Sequence, residues 1–284
     1  MFEFTRREFL CSTVAFGLTS RFGFAEGTRL RIGVTDWNLN MGANPDAVPL
    51  AARLGFDGLQ LSFGRKVVND KMPADNPDVV ARYLSLSKQY KIPIAGTCVD
   101  RLHDNGLKSD KLAPKWVLDS IRLTQALNAK VLLLPFFGGW AFQSQDEMDH
   151  VGDVLRDLAP EAEKAGVTLG LEDTISAEDN VRIMDRSRSA SVLVYYDVGN
   201  STKAGFDVVK EIRWLGRDRI CQFHFKDNPH YLGEGNIQFP PIIHAIRDIG
   251  FSGYANLEVD AHPNQLEEDM RRNLTYIRSL IQQV

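Results

Sequence analysis

Cysteine is scarce in this chain of 284 residues: three do not make a disulfide framework. Charge of one sign is lacking as well. A net charge of −4 gives no footprint for nucleic acid or for an anionic membrane surface. Beyond the N-terminus no apolar run is long enough to span a bilayer. There is no internal repeat, no low-complexity tract and no domain-sized linker, so the length points to one large domain. Cys98 and Cys221 fall on expected strands and read as small buried hydrophobes.

The N-terminus does not read as part of that domain. Thr5-Arg6-Arg7-Glu8-Phe9-Leu10 is a twin-arginine export pattern, followed by an apolar segment from Phe9 to Leu18. Gly23-Phe24-Ala25 supplies small residues for cleavage. Residues 1–25 are therefore expected to be a twin-arginine signal peptide, and 26–284 the catalytic domain. Cys11 lacks the small residue that should precede a lipidated cysteine, so no stable membrane anchor is expected. The implied partner is the twin-arginine machinery, which exports folded cargo. The implied location is the periplasm or outside the cell.

The rest alternates strand and helix. Strands are expected at 29–37, 59–63, 92–99, 131–136, 167–171, 191–196, 220–225 and 254–257. Helices are expected at 45–54, 77–90, 110–128, 146–165, 177–186, 206–215, 240–249 and 265–281. Asn76 and Pro77 have cap and first-turn chemistry, and Gly166 sits where a C-cap glycine belongs. Eight such units in about 250 residues have the size and order of a (β/α)₈ TIM barrel in the α/β class. An open doubly wound sheet fits less well, because no Gly-rich phosphate fingerprint follows the first strand. Two loops, 64–75 and 100–109, are longer than a barrel needs and lie on the expected active face.

Four residues finish strands 5 to 8: Glu172, Asp197, His224 and Glu258. Each is about one strand–helix repeat from the next, so the four converge at one side of the barrel mouth. Three carboxylates and one imidazole form a hard donor set, suited to one divalent ion, Mn²⁺ first, with Mg²⁺, Co²⁺ or Zn²⁺ as alternatives. With a divalent ion those four groups carry one net negative charge. That disfavours phosphate on the metal and suits neutral vicinal oxygens. Lys226, at the end of strand 7, is expected to bind a substrate oxygen or pair with a ligand carboxylate.

The chain resembles the sugar phosphate isomerase/epimerase family, the xylose isomerase-like barrels that include ketose 3-epimerases, hydroxypyruvate isomerase and inosose dehydratase. The likeness is carried by Leu169-Gly170-Leu171-Glu172, Tyr196-Asp197-Val198-Gly199-Asn200, Phe223-His224-Phe225-Lys226-Asp227, Leu232-Gly233-Glu234-Gly235 and Asn256-Leu257-Glu258. It implies that Glu172, Asp197, His224 and Glu258 hold the metal, and that Glu172 and Glu258 also exchange the substrate proton. It implies a substrate contact for Glu178, whose alternative is a helix-start acid after a Ser176 N-cap. It implies another for His230, standing where the epimerases use an arginine; the alternative is a surface loop residue. Asn200 departs from the pattern, because ketose 3-epimerases have a histidine there.

His103, Asp104, Asn105 and Lys108 in the strand 3 loop are candidate pocket residues, with a solvated loop as the alternative preferred for Asp104. Among strand-end aromatics, Trp37, Phe63, Phe137 and Trp140 could stack on a sugar, Trp37 and Trp140 foremost. The leading expectation is a metal-dependent sugar isomerase or epimerase acting through an enediolate on an unphosphorylated sugar or keto-sugar. The alternatives are a lyase or dehydratase on a keto-sugar, keto-inositol or 3-keto-glycoside, and a non-catalytic sugar-binding protein. An apurinic endonuclease would need many histidine ligands; only His224 sits at a ligand position. Relatives are often oligomers, so a homo-oligomer is a further expectation.

Overall fold

Eight short strands pair in parallel, in chain order, and close on themselves. The computed structural model describes residues 30–283; the expected export signal lies outside the described residues. The order is β1 (Leu30–Thr35), α1 (Ala47–Leu54), β2 (Gly58–Ser62), α2 (Pro77–Tyr90), β3 (Ile94–Cys98), α3 (Ala113–Ala126), β4 (Val131–Pro135), α4 (Gln145–Ala165) and β5 (Thr168–Glu172). It continues with α5 (Ala177–Ser187), β6 (Val192–Asp197), α6 (Val198–Ala204), α7 (Val208–Leu215), β7 (Ile220–Phe225), α8 (Phe239–Asp248), β8 (Gly253–Leu257) and α9 (Leu266–Ile281). β8 pairs with β1 and completes the expected TIM barrel.

The strands are apolar because both faces are covered. On β7, Phe223 and Phe225 face the helices, and Phe225 packs edge-on against Phe239 of α8. Gln222 and His224 alternate with them and face the barrel axis, where both are buried. One inner side is apolar, formed by Cys98, Val131 and Leu133 with Tyr195. The other is polar, formed by Gln60, Gln222 and Asn256, which are also buried. This crowding explains Gly33 on β1: a Cβ there would lie 2.1 Å from Asn256 Oδ1.

The helix boundaries have the expected chemistry. The Asn76 side chain accepts from Asp78 N–H with Pro77 beside it, and Ser176 accepts from Asp179 N–H. Such caps contribute about 1 kcal/mol each. Gly166 ends α4 in the left-handed region at φ 65.

Helix α6 lies outside the expected pattern. Val-Gly-Asn-Ser-Thr is poor helix-forming sequence. It forms because the Asp197 carboxylate caps it, accepting from Asn200 N–H at 2.8 Å. Cys98 is buried as expected, yet it also forms cavity wall, and its thiol donates to Asp100 Oδ1 at 3.3 Å.

Candidate metal centre

Register sets the height of the ligands. Asp197 pairs with His224 across β6 and β7, after a register shift at Val194/Tyr195. Glu172 ends β5 opposite Pro135. Glu258 follows β8 and donates its N–H to Phe225 O at 3.0 Å. All four side chains then project into the mouth. One ligand atom from each of Glu172, Asp197, His224 and Glu258 lies within 4.8 Å of the others.

His224 is fully buried and held from several sides. Nε2 lies 2.7 Å from Gln60 Oε1, and Nδ1 lies 2.8 Å from Glu172 Oε1. The Tyr195 ring tilts against it at 4.5 Å and Trp37 meets it edge-on at 5.9 Å. Trp37 Nε1 donates to Glu258 Oε1 at 3.0 Å. Lys226 Nζ lies 2.7 Å from Asp197 Oδ2 and 2.6 Å from Glu258 Oε2.

The carboxyls are electrostatically unequal. Burial pushes Glu172 up to about 8, with repulsion from Glu258 adding to it. Burial likewise raises Asp197 to about 7, against the attraction of Lys226. Burial would raise Glu258 too, but His224 when protonated, Lys226 and the Trp37 N–H outweigh it and hold the group below its ordinary value. Burial lowers the His224 imidazole below its ordinary value, against the attraction of Glu258 and Asp197. Burial opposes the Lys226 ammonium, but Asp197 and Glu258 outweigh it and keep it charged.

These residues fit a divalent cation. Ionised, the three carboxylates face one ammonium, which leaves two negative charges uncompensated in a buried place. Asp197 Oδ2 is buried and accepts no well-aligned hydrogen bond. The donors are oxygen and imidazole nitrogen, the set for Mn²⁺, Mg²⁺ or Co²⁺.

The centre opens into a cavity of about 470 Å³. Of the other expected site residues, Trp37, His103, Phe137, Asn200 and Lys226 line it. His103 stacks on Phe137 at 6.2 Å.

Several candidates are not brought there. Glu178 is exposed in the first turn of α5 and lines a separate outer groove with Asp149 and Arg182, because the Ser176 cap turns the chain away from the mouth. His230 is exposed in the loop after β7 and lines no described cavity wall. Lys108 is tied to Ala141 O and to Glu147, each at 3.0 Å. Trp140 packs over Gly106, where a Cβ would meet its ring at 2.1 Å, so it braces the β3 loop. Phe63 is buried in the outer core. Asp104 pairs with Arg65 and Arg101, and Asn105 bonds Asp110.

Sequence reasoning passed over Arg65, Asp100, Cys98, Leu133 and Pro135, which also line the cavity. Arg65 and Asp100 fall in the two long loops, and loop length was the available signal. Asp100 is a carboxyl raised above its ordinary range by burial. Gln60 gave no signal, since one amide in an apolar strand carries no motif.

Residues 48–280 match the family described as xylose isomerase-like TIM barrel. Over 206 residues the chain is 26% identical to 2-epi-5-epi-valiolone 7-phosphate 2-epimerase of Actinoplanes sp., covering 70% of this chain and 73% of that one. Among solved structures it resembles D-psicose 3-epimerase from Clostridium cellulolyticum H10, with a TM-score of 0.75 and 16% identity over 88% of this chain and 99% of that one. It also resembles 3-keto-D-glucoside 4-epimerase from E. coli, with a TM-score of 0.69 and 18% identity over 88% and 100% of the two chains. At these identities the structural likeness establishes the fold.

Proposed function

The chain belongs to the xylose isomerase-like TIM barrel family, and from that membership we propose that it is a divalent-metal-dependent sugar epimerase or isomerase exchanging a proton next to a carbonyl. The reading rests on one observation above others: two glutamates, an aspartate and a histidine from four successive strands meet within 4.8 Å at the mouth of a cavity. Mn²⁺ is the ion we favour, from the donor set.

A divalent ion held there would polarise a carbonyl and its neighbouring hydroxyl, making the proton between them more acidic. The protein supplies the rest. Glu258 is the ionised carboxylate, aimed by Trp37 and Lys226, and takes the proton. Glu172, the second glutamate of the centre, delivers a proton back. Delivery to the opposite face gives an epimer, and delivery to the neighbouring carbon gives an isomer. Asn200 can donate to a substrate hydroxyl without changing charge.

We favour an unphosphorylated sugar. The cavity cations are already engaged: Arg65 by Asp104, and Lys226 by Asp197 and Glu258. Burial lowers His103 toward the neutral form. Within that cavity no cation is left uncommitted for a phosphate such as the 7-phosphate named for the Actinoplanes relative; Lys203 lies in the adjoining space. Beyond Asn200 and Lys226 lies a second space of about 430 Å³, lined also by Thr202, Lys203, Asn228 and Asn236. These amides and hydroxyls suit a second sugar ring, so a keto-glycoside is the substrate class we favour.

Asp100 supports a second reading. A half-buried carboxyl raised by desolvation, on the β3 side of the cavity, could protonate a departing β-oxygen. The same proton abstraction would then end in elimination, as in a lyase or dehydratase. On the strength of residues 5–18 alone, we propose that the protein is exported folded and acts outside the cytoplasm. No helix among the described residues is long and apolar enough to cross a membrane.

Incubation of Mn²⁺-loaded protein with free keto-sugars and keto-glycosides, followed by chromatography and NMR, tests the reading. A metal-dependent change of configuration or carbonyl position, absent in Asp197→Asn, is expected. Products lacking one water or one aglycone would move the assignment to the lyase.

A further inference from the structure

The barrel axis holds a chain of buried hydrogen bonds whose direction can be read from one end. Gln222 Nε2 lies 2.6 Å from the carbonyl oxygen of Ala95, which can only accept. The Gln222 amide is thereby oriented, and its Oε1 accepts from Asn256 Nδ2 at 3.0 Å. The same Nδ2 donates to Tyr195 OH at 2.8 Å. The tyrosine passes its own proton to Gln60 Oε1 at 2.9 Å. That oxygen lies 2.7 Å from His224 Nε2. An oxygen already accepting from tyrosine can only accept again, so Nε2 must carry the hydrogen.

We propose that this relay, from Ala95 through Gln222, Asn256, Tyr195 and Gln60, fixes His224 as its Nε2–H tautomer and makes Nδ1 the atom offered to the metal. Gln60 is the positioning residue that delivers the polarity. The proposal rests on the metal reading above, and extends it to residues from β2, β3, β6, β7 and β8 that stand behind His224.

Two further observations support it. Gln60, Tyr195, Gln222, His224 and Asn256 are all at most 3% exposed, so water is not available to substitute for a missing partner. Gln60 Nε2 is buried without an acceptor. An axis built for stability alone would carry an aliphatic residue there, as TIM-barrel interiors commonly do. The amide is useful for its oxygen. Nδ1 lies 2.8 Å from Glu172 and 3.5 Å from Glu258, where a carboxyl hydrogen or a bound ion can take up its lone pair. A partner that orients a metal-binding imidazole typically changes affinity by about 10- to 100-fold.

The test is ¹⁵N NMR of histidine-labelled, metal-free protein, paired with calorimetric Mn²⁺ titration. The wild type is expected to show a protonated Nε2 and an unprotonated Nδ1 for His224. Gln60→Leu should lose that pattern and weaken Mn²⁺ binding by about 10- to 100-fold. Gln60→Glu, which keeps an acceptor oxygen at the same reach, should restore both. Tyr195→Phe should mix the tautomers. A Gln60→Leu protein that keeps the Nε2–H pattern and its Mn²⁺ affinity, losing only thermal stability, would overturn the proposal. So would a wild-type Nδ1–H tautomer. The NMR measurement needs no metal: a wild type with the Nε2–H pattern but no Mn²⁺ binding would sink the metal reading and leave the relay standing.

Discussion

Lys226 Nζ lies 2.6 Å from Glu258 Oε2 while also touching Asp197, so an ammonium already stands among the carboxylates that would hold a metal. It lessens their repulsion and competes for their oxygens. On the proposed reading, one residue is thus placed to set metal affinity and to aim Glu258.

Replacing that ammonium separates the two effects. Lys226→Met removes a positive charge from beside two ligands, and Mn²⁺ should bind about tenfold tighter or more, since about 1.4 kcal/mol of relieved repulsion is enough. Turnover should fall, because Glu258 loses one of its two aiming contacts. Calorimetry and initial rates check the pair; weaker Mn²⁺ binding would show that Lys226 supports the centre.

The raised carboxyls give the metal-free protein a particular pH response. Glu172 near 8 and Asp197 near 7 lie above their ordinary values of 4.5 and 3.8. Groups raised by folding contribute stability that is fully present below the ordinary value and is lost as pH rises through the folded one. The melting temperature without metal should therefore fall between about pH 5 and 9, and Mn²⁺ should restore it most at the alkaline end. Glu172→Gln should flatten the metal-free profile. A melting temperature that rises with pH over this window would contradict the assignment.

The two glutamates should fail differently. Glu258→Gln removes the ionised base and should lower turnover by about 10³-fold or more with the fold retained by circular dichroism. In Glu172→Gln, proton abstraction can outlast product formation, so solvent exchange into recovered substrate should persist longer than epimerisation. Equal loss of both processes in both variants would mean the glutamates act only as ligands.

Much of this was written in the chain. The eight strands announced themselves as apolar runs, and the candidate ligands sat at their ends, where the barrel puts chemistry. Glu178 and His230 stand away from the described cavity because a fixed offset along the sequence ignores the turn between: Glu178 lies in the first turn of α5 after the Ser176 cap, and His230 in an exposed loop. Helix α6 was hidden because its nucleus is a ligand's own side chain. Asp100 and Arg65 belong to the site through loop conformation, which no periodicity encodes. Gln60 and Asn256 acquire their meaning only when four strands bring them together.

The second space past Asn200 predicts substrate length. A disaccharide carrying the keto ring should be preferred over the free keto-sugar in kcat/KM by about tenfold, about 1.4 kcal/mol of added binding. Asn236→Ala with Lys203→Ala should remove most of that preference and leave the free sugar's rate unchanged. Equal rates for short and long substrates would confine the site to the cavity beside the metal.

The central claim is proton exchange beside a carbonyl at the centre built by Glu172, Asp197, His224 and Glu258. The most direct measurement is mass spectrometry of ketoses, keto-inositols and keto-glycosides after incubation in D₂O with Mn²⁺-loaded protein. One deuteron should appear at a carbon next to the carbonyl, and chelation or Glu258→Gln should abolish it. Tight Mn²⁺ binding at these four residues with no deuterium in any of the three classes would contradict the account and describe a metal-bearing sugar binder.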